Sequence, residues 1–230
     1  MNGVVDYEPE VFVELVANSV HDIKNSIGVL LGAADSLAAQ VSCSSAVGVQ
    51  ALTLQHEARR INYDLIHLLG LFKFERAHAG INLQVVDCDA LLAEIAAFNT
   101  DLLAARGIRL STECGDASEG YFDRELVQGV INSIVNNAFH HACKQVTVSC
   151  EVHDGYTVLA VADDGPGYGP KLLAMEAAPG ATAYTHGNTG LGLYFARRIA
   201  AMHQHRERCG RVVLSNQGFA GGGRFELWLP

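Results

Sequence analysis

The sequence predicts an α+β protein in two parts. Residues 1–79 are expected to form a helical hairpin that pairs into a dimeric four-helix bundle, and residues 80–230 an α/β sandwich. Two observations carry this. In the first third of the chain, apolar residues recur at alternating spacings of three and four, the period of a helical seam. After Ala77-His78-Ala79-Gly80 the pattern changes to short strand-like runs alternating with helical ones, which reads as helices layered on one face of a mixed sheet.

The first seam runs through Val13, Val16, Val20, Ile23, Ile27, Leu30, Ala34 and Leu37. A polar turn at Ser42-Cys43-Ser44-Ser45 ends it. The second seam, Val47, Ala51, Leu54, Ala58, Ile61, Leu65, Leu68 and Phe72, gives a helix of similar length that must fold back on the first. Two helices with one apolar face each do not close a core, so the pattern implies pairing with a second copy; docking of the hairpin on its own carboxy-terminal part is the alternative. His21 lies at the rim of the first seam, with Asn18, Asn25, Gly28 and Gly32 following the same stripe. A rim histidine is more often solvated than reactive. Two glycines on its own face, each costing about 1 kcal/mol relative to alanine inside a helix, open that face to a macromolecule.

In the second part, Leu91, Leu92, Ile95, Phe98, Leu102 and Leu103 mark a helix stopped before Gly107, and Ile108–Cys114 reads as a strand. Asp123 is placed to cap a helix running to about His141. Gln145–Val152 and Tyr156–Val161 form a hairpin around Asp154-Gly155. Gly190–Met202 is a helix, followed by strands at Arg211–Ser215 and Arg224–Leu229.

Composition bounds the function. The 230 residues are 49% hydrophobic, so a core can be buried, and the net charge of -9 leaves no basic stripe for nonspecific nucleic-acid binding. Met1–Glu10 lacks the basic and apolar regions of a signal peptide, and runs such as Leu68–Phe72 are too short to span a bilayer, so a cytoplasmic protein without a membrane span is expected. The six cysteines form no C-x-x-C pair and read as reduced, mostly buried thiols. The histidines at 140, 141, 203 and 205 lack partners at ligand spacing, which favours solvated or phosphate-facing roles over metal binding.

Three segments carry chemistry. Asp163-Asp164-Gly165-Pro166-Gly167-Tyr168-Gly169 leaves a strand directly into a glycine-rich turn, where a strand-end carboxylate can accept a hydrogen bond from an exocyclic amine such as that of adenine. A tight turn explains one such cluster equally well. A second, Gly187-Asn188-Thr189-Gly190-Leu191-Gly192-Leu193, opens a helix whose amides suit a phosphate. Between them Pro170–His186 lacks periodicity and reads as a mobile lid. The third segment, Asn132 to His141, puts amide carbonyls on a helix, where they can ligate Mg²⁺.

In this order the segments resemble the boxes of bacterial sensor histidine kinases of two-component signalling, whose fold is a phosphoacceptor hairpin followed by a GHKL-type ATP-binding domain. Val20-His21-Asp22-Ile23-Lys24-Asn25 looks like the phosphoacceptor box, Asn137-Ala138 like the N box, Asp163 to Gly169 and Gly187 to Leu193 like the two glycine boxes, and Gly222 to Pro230 like the closing strand. The resemblance implies ATP and Mg²⁺ as cofactors. It makes His21 the phosphoacceptor, Asp22 its acidic partner and Asn25 the residue that positions water for dephosphorylation of a partner. It assigns Asp163 to adenine, Asn137 to Mg²⁺, His140 to the phosphates in place of the usual basic residue, and the turns at Gly165, Gly167, Gly169, Thr189, Gly190, Leu191 and Gly192 to the nucleotide. The sequence departs from the family where Ser133 stands in place of an asparagine four residues before Asn137, with Asn132 displaced by one. The implied partners are the receiver domain of a response regulator, a second copy of the chain, and, since no sensor precedes His21, a separate upstream sensor or regulator. A relay phosphotransferase with a non-catalytic ATPase-like domain and a noncatalytic dimeric interaction module are the rival readings.

Overall fold

The computed structural model describes residues 23, 26–34, 36, 47, 48, 50, 54, 57, 58, 61, 65, 81–115, 119–176 and 190–230; of 139, 140, 175, 176, 190 and 191 it describes the backbone alone. The chain divides into two compact units, Met1–Gly80 and Ile81–Pro230. In the first unit every described residue is helical. Ile27, Ala34 and Ala58 of the predicted seams are buried, whereas Ile23, Leu30, Val47, Leu54 and Ile61 keep 44–57% of their surface. The seams are thus split into a covered row and an uncovered one, and the uncovered residues recur every seven positions, two helical turns apart.

The second unit begins with β1 (Gln84–Asp87), α1 (Cys88–Ala104) and β2 (Arg109–Cys114). Asp87 caps α1 by accepting the Ala90 amide at 2.9 Å. The helix stops at Gly107, whose φ of +73° lies in the left-handed region that glycine tolerates best. β3 (Glu119–Phe122) pairs antiparallel with β1, with Val85 opposite Tyr121. This ribbon was not evident in the sequence.

Then come α2 (Arg124–His141), β4 (Gln145–His153) and β5 (Tyr156–Asp163), the last two forming the expected hairpin about Asp154 and Gly155, both at positive φ. α3 (Pro170–Glu176) follows, a helix that the lack of periodicity at the start of the expected lid did not indicate: proline pre-sets the first helical position, and Leu172 and Leu173 pack against the core. Residues 177–186 of that lid lie outside the described residues. The unit closes with α4 (Gly190–Met202), the short strands β6 (Gln204–His205) and β7 (Arg208–Cys209), β8 (Arg211–Ser215), a 3-10 turn at Phe219–Gly221, and β9 (Arg224–Leu229).

The main sheet has the order β2-β4-β5-β9-β8, parallel between β2 and β4 and antiparallel elsewhere. Alternation sets its covered face: Phe225, Leu227 and Leu229 of β9 are buried with Ile95 of α1, Ile131 and Val135 of α2, and Ala196 and Ile199 of α4. Among the described residues, no helix is long and apolar enough to cross a membrane.

His203 is a correction. It is fully buried after α4, where Nε2 accepts the Asp123 amide at 3.0 Å and Nδ1 contacts the Ile199 carbonyl at 2.8 Å. That geometry requires a neutral ring with its proton on Nδ1, so the side chain is a core tie rather than a solvated or phosphate-facing group. Burial pushes its pKa below the usual value against the upward pull of the Ile199 carbonyl and Asp123 carboxylate. Of the five described cysteines, all free, Cys88 and Cys150 are buried, Cys114 is half-buried, and Cys143 and Cys209 are exposed, so burial is less general than expected.

Candidate nucleotide-binding site

At the end of β5 the chain turns from Asp163 through Pro166, Gly167 and Tyr168 and faces one side of α2. Between them is a pocket of about 230 Å³ with apolar walls of Ile134, Ala138, Leu172 and Leu193; Asn137 and Asp163 also line it, with Gly167, Gly169 and Gly223. Asp163 sits at its polar end. Its Oδ1 accepts the Gly165 amide at 2.7 Å and the Gly223 amide at 3.3 Å. Among the described residues no donor meets Oδ2. A carboxylate with one oxygen anchored and the other open beside an apolar slot fits a flat heterocycle that carries an exocyclic amine.

The neighbouring Asp164 points away and does a different job. Its carboxylate accepts the amides of Cys143 at 2.8 Å, Lys144 at 3.0 Å and Gln145 at 3.3 Å, tying the loop after α2 to the end of β5. Burial works to raise its pKa, but the amides of Lys144, Cys143 and Gln145 outweigh it and hold the carboxyl below the ordinary range. The glycines act by close approach as well as by flexibility. A Cβ on Gly165 would lie 2.6 Å from the His141 carbonyl oxygen, whereas one on Gly169 would meet nothing within 4 Å. Gly167 takes φ +72°, and the turn there is clamped by Asn216, whose Oδ1 accepts the Tyr168 amide at 2.7 Å while Nδ2 donates to the Tyr168 carbonyl at 3.1 Å.

Asn137 reaches the pocket, and Gly192 at the start of α4 comes against the same part of α2: a Cβ there would lie 3.1 Å from Ser133 Oγ and 3.8 Å from Asn137 Nδ2. Asn132 does not reach it. It is buried on another side of α2, where its Oδ1 accepts Nδ2 of Asn99 at 2.8 Å, and Asn99 also donates to the Ile95 carbonyl at 2.7 Å. Its amide oxygen is thus taken by Asn99 and does not face the pocket. Gly190 and Leu191 are placed in the first turn of α4 by their backbone, and His140 in the last turn of α2. His21, Asp22, Asn25 and Thr189 lie outside the described residues. The sequence reading missed Asp164, Asn216 and Gly223 as supports of the site; Gly223, inside a run of three glycines, was the one with a visible local signal.

A helix-covered mixed sheet thus brings an aspartate, a glycine turn and a helix asparagine around one pocket. Residues 122–230, within the second unit, match the family of histidine kinase-, DNA gyrase B-, and HSP90-like ATPases. The chain is further similar, at 26% identity over 94% of its length, to the sensor-like histidine kinase SenX3 of Mycobacterium tuberculosis strain H37Rv and to the sensor protein SphS of Synechococcus elongatus. Both of these relatives are sensor proteins by name, and one is a sensor-like histidine kinase. This chain covers 53% of SenX3 and 54% of SphS, so it spans about half the length of the curated relatives it matches. The fold is shared with full-length ShkA solved with AMPPNP, at a TM-score of 0.61 and 22% identity over 94% of this chain and 44% of that one. It is shared also with histidine kinase AdeS of Acinetobacter baumannii, at a TM-score of 0.57 and 18% identity over 91% of this chain and 96% of that one.

Proposed function

We propose that the chain is a histidine kinase that phosphorylates His21 from Mg-ATP and passes the phosphoryl group to an aspartate on the receiver domain of a response regulator. The observation that carries the ATP half is Asp163, with one carboxylate oxygen held by two backbone amides and the other open to an apolar pocket that Asn137 also lines. That ShkA was solved with AMPPNP supports the same reading. Asp163 orients the adenine, the apolar walls exclude water from its faces, and the amides at the start of α4 take the phosphates. Asn137 is the proposed Mg²⁺ ligand: a neutral amide oxygen beside the phosphate region fits a hard cation that retains several waters. When bound, that ion supplies charge stabilisation on the transferred group.

His21 is the proposed acceptor, since a neutral imidazole is a competent nucleophile at physiological pH, with Asp22 holding the ring's other nitrogen and Asn25 serving the return reaction on the regulator. We further propose that the active form is a homodimer in the cytoplasm, joined through the first unit. The uncovered row of Ile23, Leu30, Val47, Leu54 and Ile61 supports it.

Incubation with γ-labelled ATP tests the proposal. Acid-labile, base-stable label is expected on the wild-type chain and none on His21→Gln, with nucleotide affinity nearly equal in the two. Label that survives His21→Gln removes His21 as acceptor; nucleotide binding without any label indicates a relay protein instead.

A further inference from the structure

We propose that the corner built from the Gln204–Cys209 hairpin and the β1–β3 ribbon is a docking site for an acidic peptide segment of a partner protein. This corner lies at the other end of β5 from the nucleotide pocket. Tyr156 marks the corner and Asp163 the pocket, seven residues apart, or about 23 Å at the rise of a strand.

The corner holds a cavity of about 860 Å³ whose lining includes Tyr121, His205, Arg206, Arg208 and Pro230. Its charge is exceptional for a chain of net charge -9. Arg206, Arg208 and Arg211 stand here, with Glu207 between the first two and the exposed Asp154 beside Gly155, and among the described residues no carboxylate pairs with any of the three. Two arginines elsewhere in the unit are paired, Arg124 with Glu94 at 2.6 Å and Arg224 with Glu226 at 2.7 Å. At the corner, aromatic rings replace the carboxylates. The Arg211 guanidinium lies 4.2 Å from the Trp228 ring and 4.6 Å from the Tyr156 ring, while Arg208 lies 5.3 Å from Tyr156 and donates to the Gly155 carbonyl at 2.9 Å. Such contacts fix the guanidinium planes and leave their positive charge in place. Arg206 sits in the left-handed region at φ +54°, a conformation that a non-glycine residue holds only where surrounding structure enforces it.

Beside the charge is an apolar strip. Tyr121, which lines the cavity, pairs across the ribbon with Val85, and the two remain 52% and 65% exposed. Preoriented guanidiniums next to a small apolar strip match a segment in which carboxylates alternate with apolar side chains. A nucleic acid fits less well, because the rings that would stack on bases are already faced by Arg208 and Arg211.

The test is fluorescence anisotropy on the full chain with a labelled peptide of alternating Glu and Leu, against its Gln–Leu counterpart and a labelled single-stranded oligonucleotide. The Glu–Leu peptide is expected to bind, to weaken about tenfold in the double variant Arg206→Glu/Arg208→Glu, and to weaken again between about 50 mM and about 300 mM salt. ATP affinity of the double variant should be unchanged, which shows that it is folded. Arg206→Gln, a milder change in an exposed turn, should give a smaller loss in the same direction. Tyr121→Ser should weaken binding while leaving its salt dependence intact. Equal binding of the Gln–Leu peptide, tighter binding of the oligonucleotide, or Glu–Leu binding unaffected by either arginine variant overturns the proposal. So does a concentration-dependent change in sedimentation that the double variant abolishes, since the corner would then join copies of this chain.

Discussion

Two acidic residues in sequence, Asp163 and Asp164, show how one peptide bond separates a ligand group from a structural one. Asp163 ends β5 and Asp164 opens the turn, and there the carboxylate of Asp163 lines the pocket while that of Asp164 gathers the amides of Cys143, Lys144 and Gln145. Asp163→Ala should weaken ATP binding by about 1.5–3 kcal/mol, the loss of one charged hydrogen bond, with the fold intact; calorimetry showing wild-type affinity removes Asp163 from the site. The asparagines of α2 divide similarly. Asn132→Ala should lower stability by about 1–3 kcal/mol because it strands a buried donor of Asn99, while the Mg²⁺ dependence of turnover stays as in wild type. Asn137→Ala should do the reverse, which a magnesium titration and a urea melt of both variants would distinguish.

His203 gives the residue scale its pH dependence. Its folded-state pKa lies below the usual 6.5, so on acidification the unfolded chain takes up the proton first. The stability that rests on the neutral ring is complete above about pH 6.5 and is lost progressively below it. His203→Gln should cost about 1–3 kcal/mol at pH 7.5 through the unpaired Asp123 amide, and its deficit relative to wild type should narrow at pH 5.5. A deficit in urea unfolding that is equal at the two pH values would show that the ring does not titrate between the states.

At the scale of elements, the turn after β5 is shaped more by what touches it than by its own flexibility. Gly165 and Gly169 belong to one glycine cluster, yet only the first abuts backbone. Gly165→Ala would press a methyl group on the His141 carbonyl and displace Asp163 Oδ1, itself 2.9 Å from that position. Overpacking of this kind costs about 1–3 kcal/mol, so ATP affinity should fall roughly tenfold or more, whereas Gly169→Ala should be close to neutral. Comparable losses in the two variants would mean that chain flexibility, and not the approach to α2, is what the cluster provides.

For the whole molecule, the uncovered heptad row sets the expected assembly. Five apolar residues at 44–57% exposure among the described helical residues of the first unit form a row that a second copy would cover under the proposed dimer. Leu54→Glu should convert a dimer to a monomer in sedimentation equilibrium, because it places a charge in that seam, while ATP affinity remains as in wild type. A fragment beginning at Ile81 should likewise be monomeric and still bind nucleotide. A Leu54→Glu chain that stays dimeric would place the dimer contact elsewhere.

What the sequence determined by itself was local. Period and turn chemistry act within a few residues, which is why α4, β8 and β9, the Asp123 cap, the Asp154-Gly155 hairpin and the order of the glycine segments could be read in advance. The tertiary structure alone decided which groups meet. Asn132 and Asn137 differ by five residues, about 140° around a helix, and only the packing of α2 against α1 and the glycine turn assigns one to the core and the other to the pocket. Asp163 is held by Gly223 from 60 residues away, and Asp123 is joined to His203 from 80 away. The β1–β3 ribbon joins strands that α1 and β2 separate in the sequence. Such partners carry no shared pattern along the chain, because their pairing is fixed by the register of strands and the filling of a common core rather than by any preference of the residues themselves.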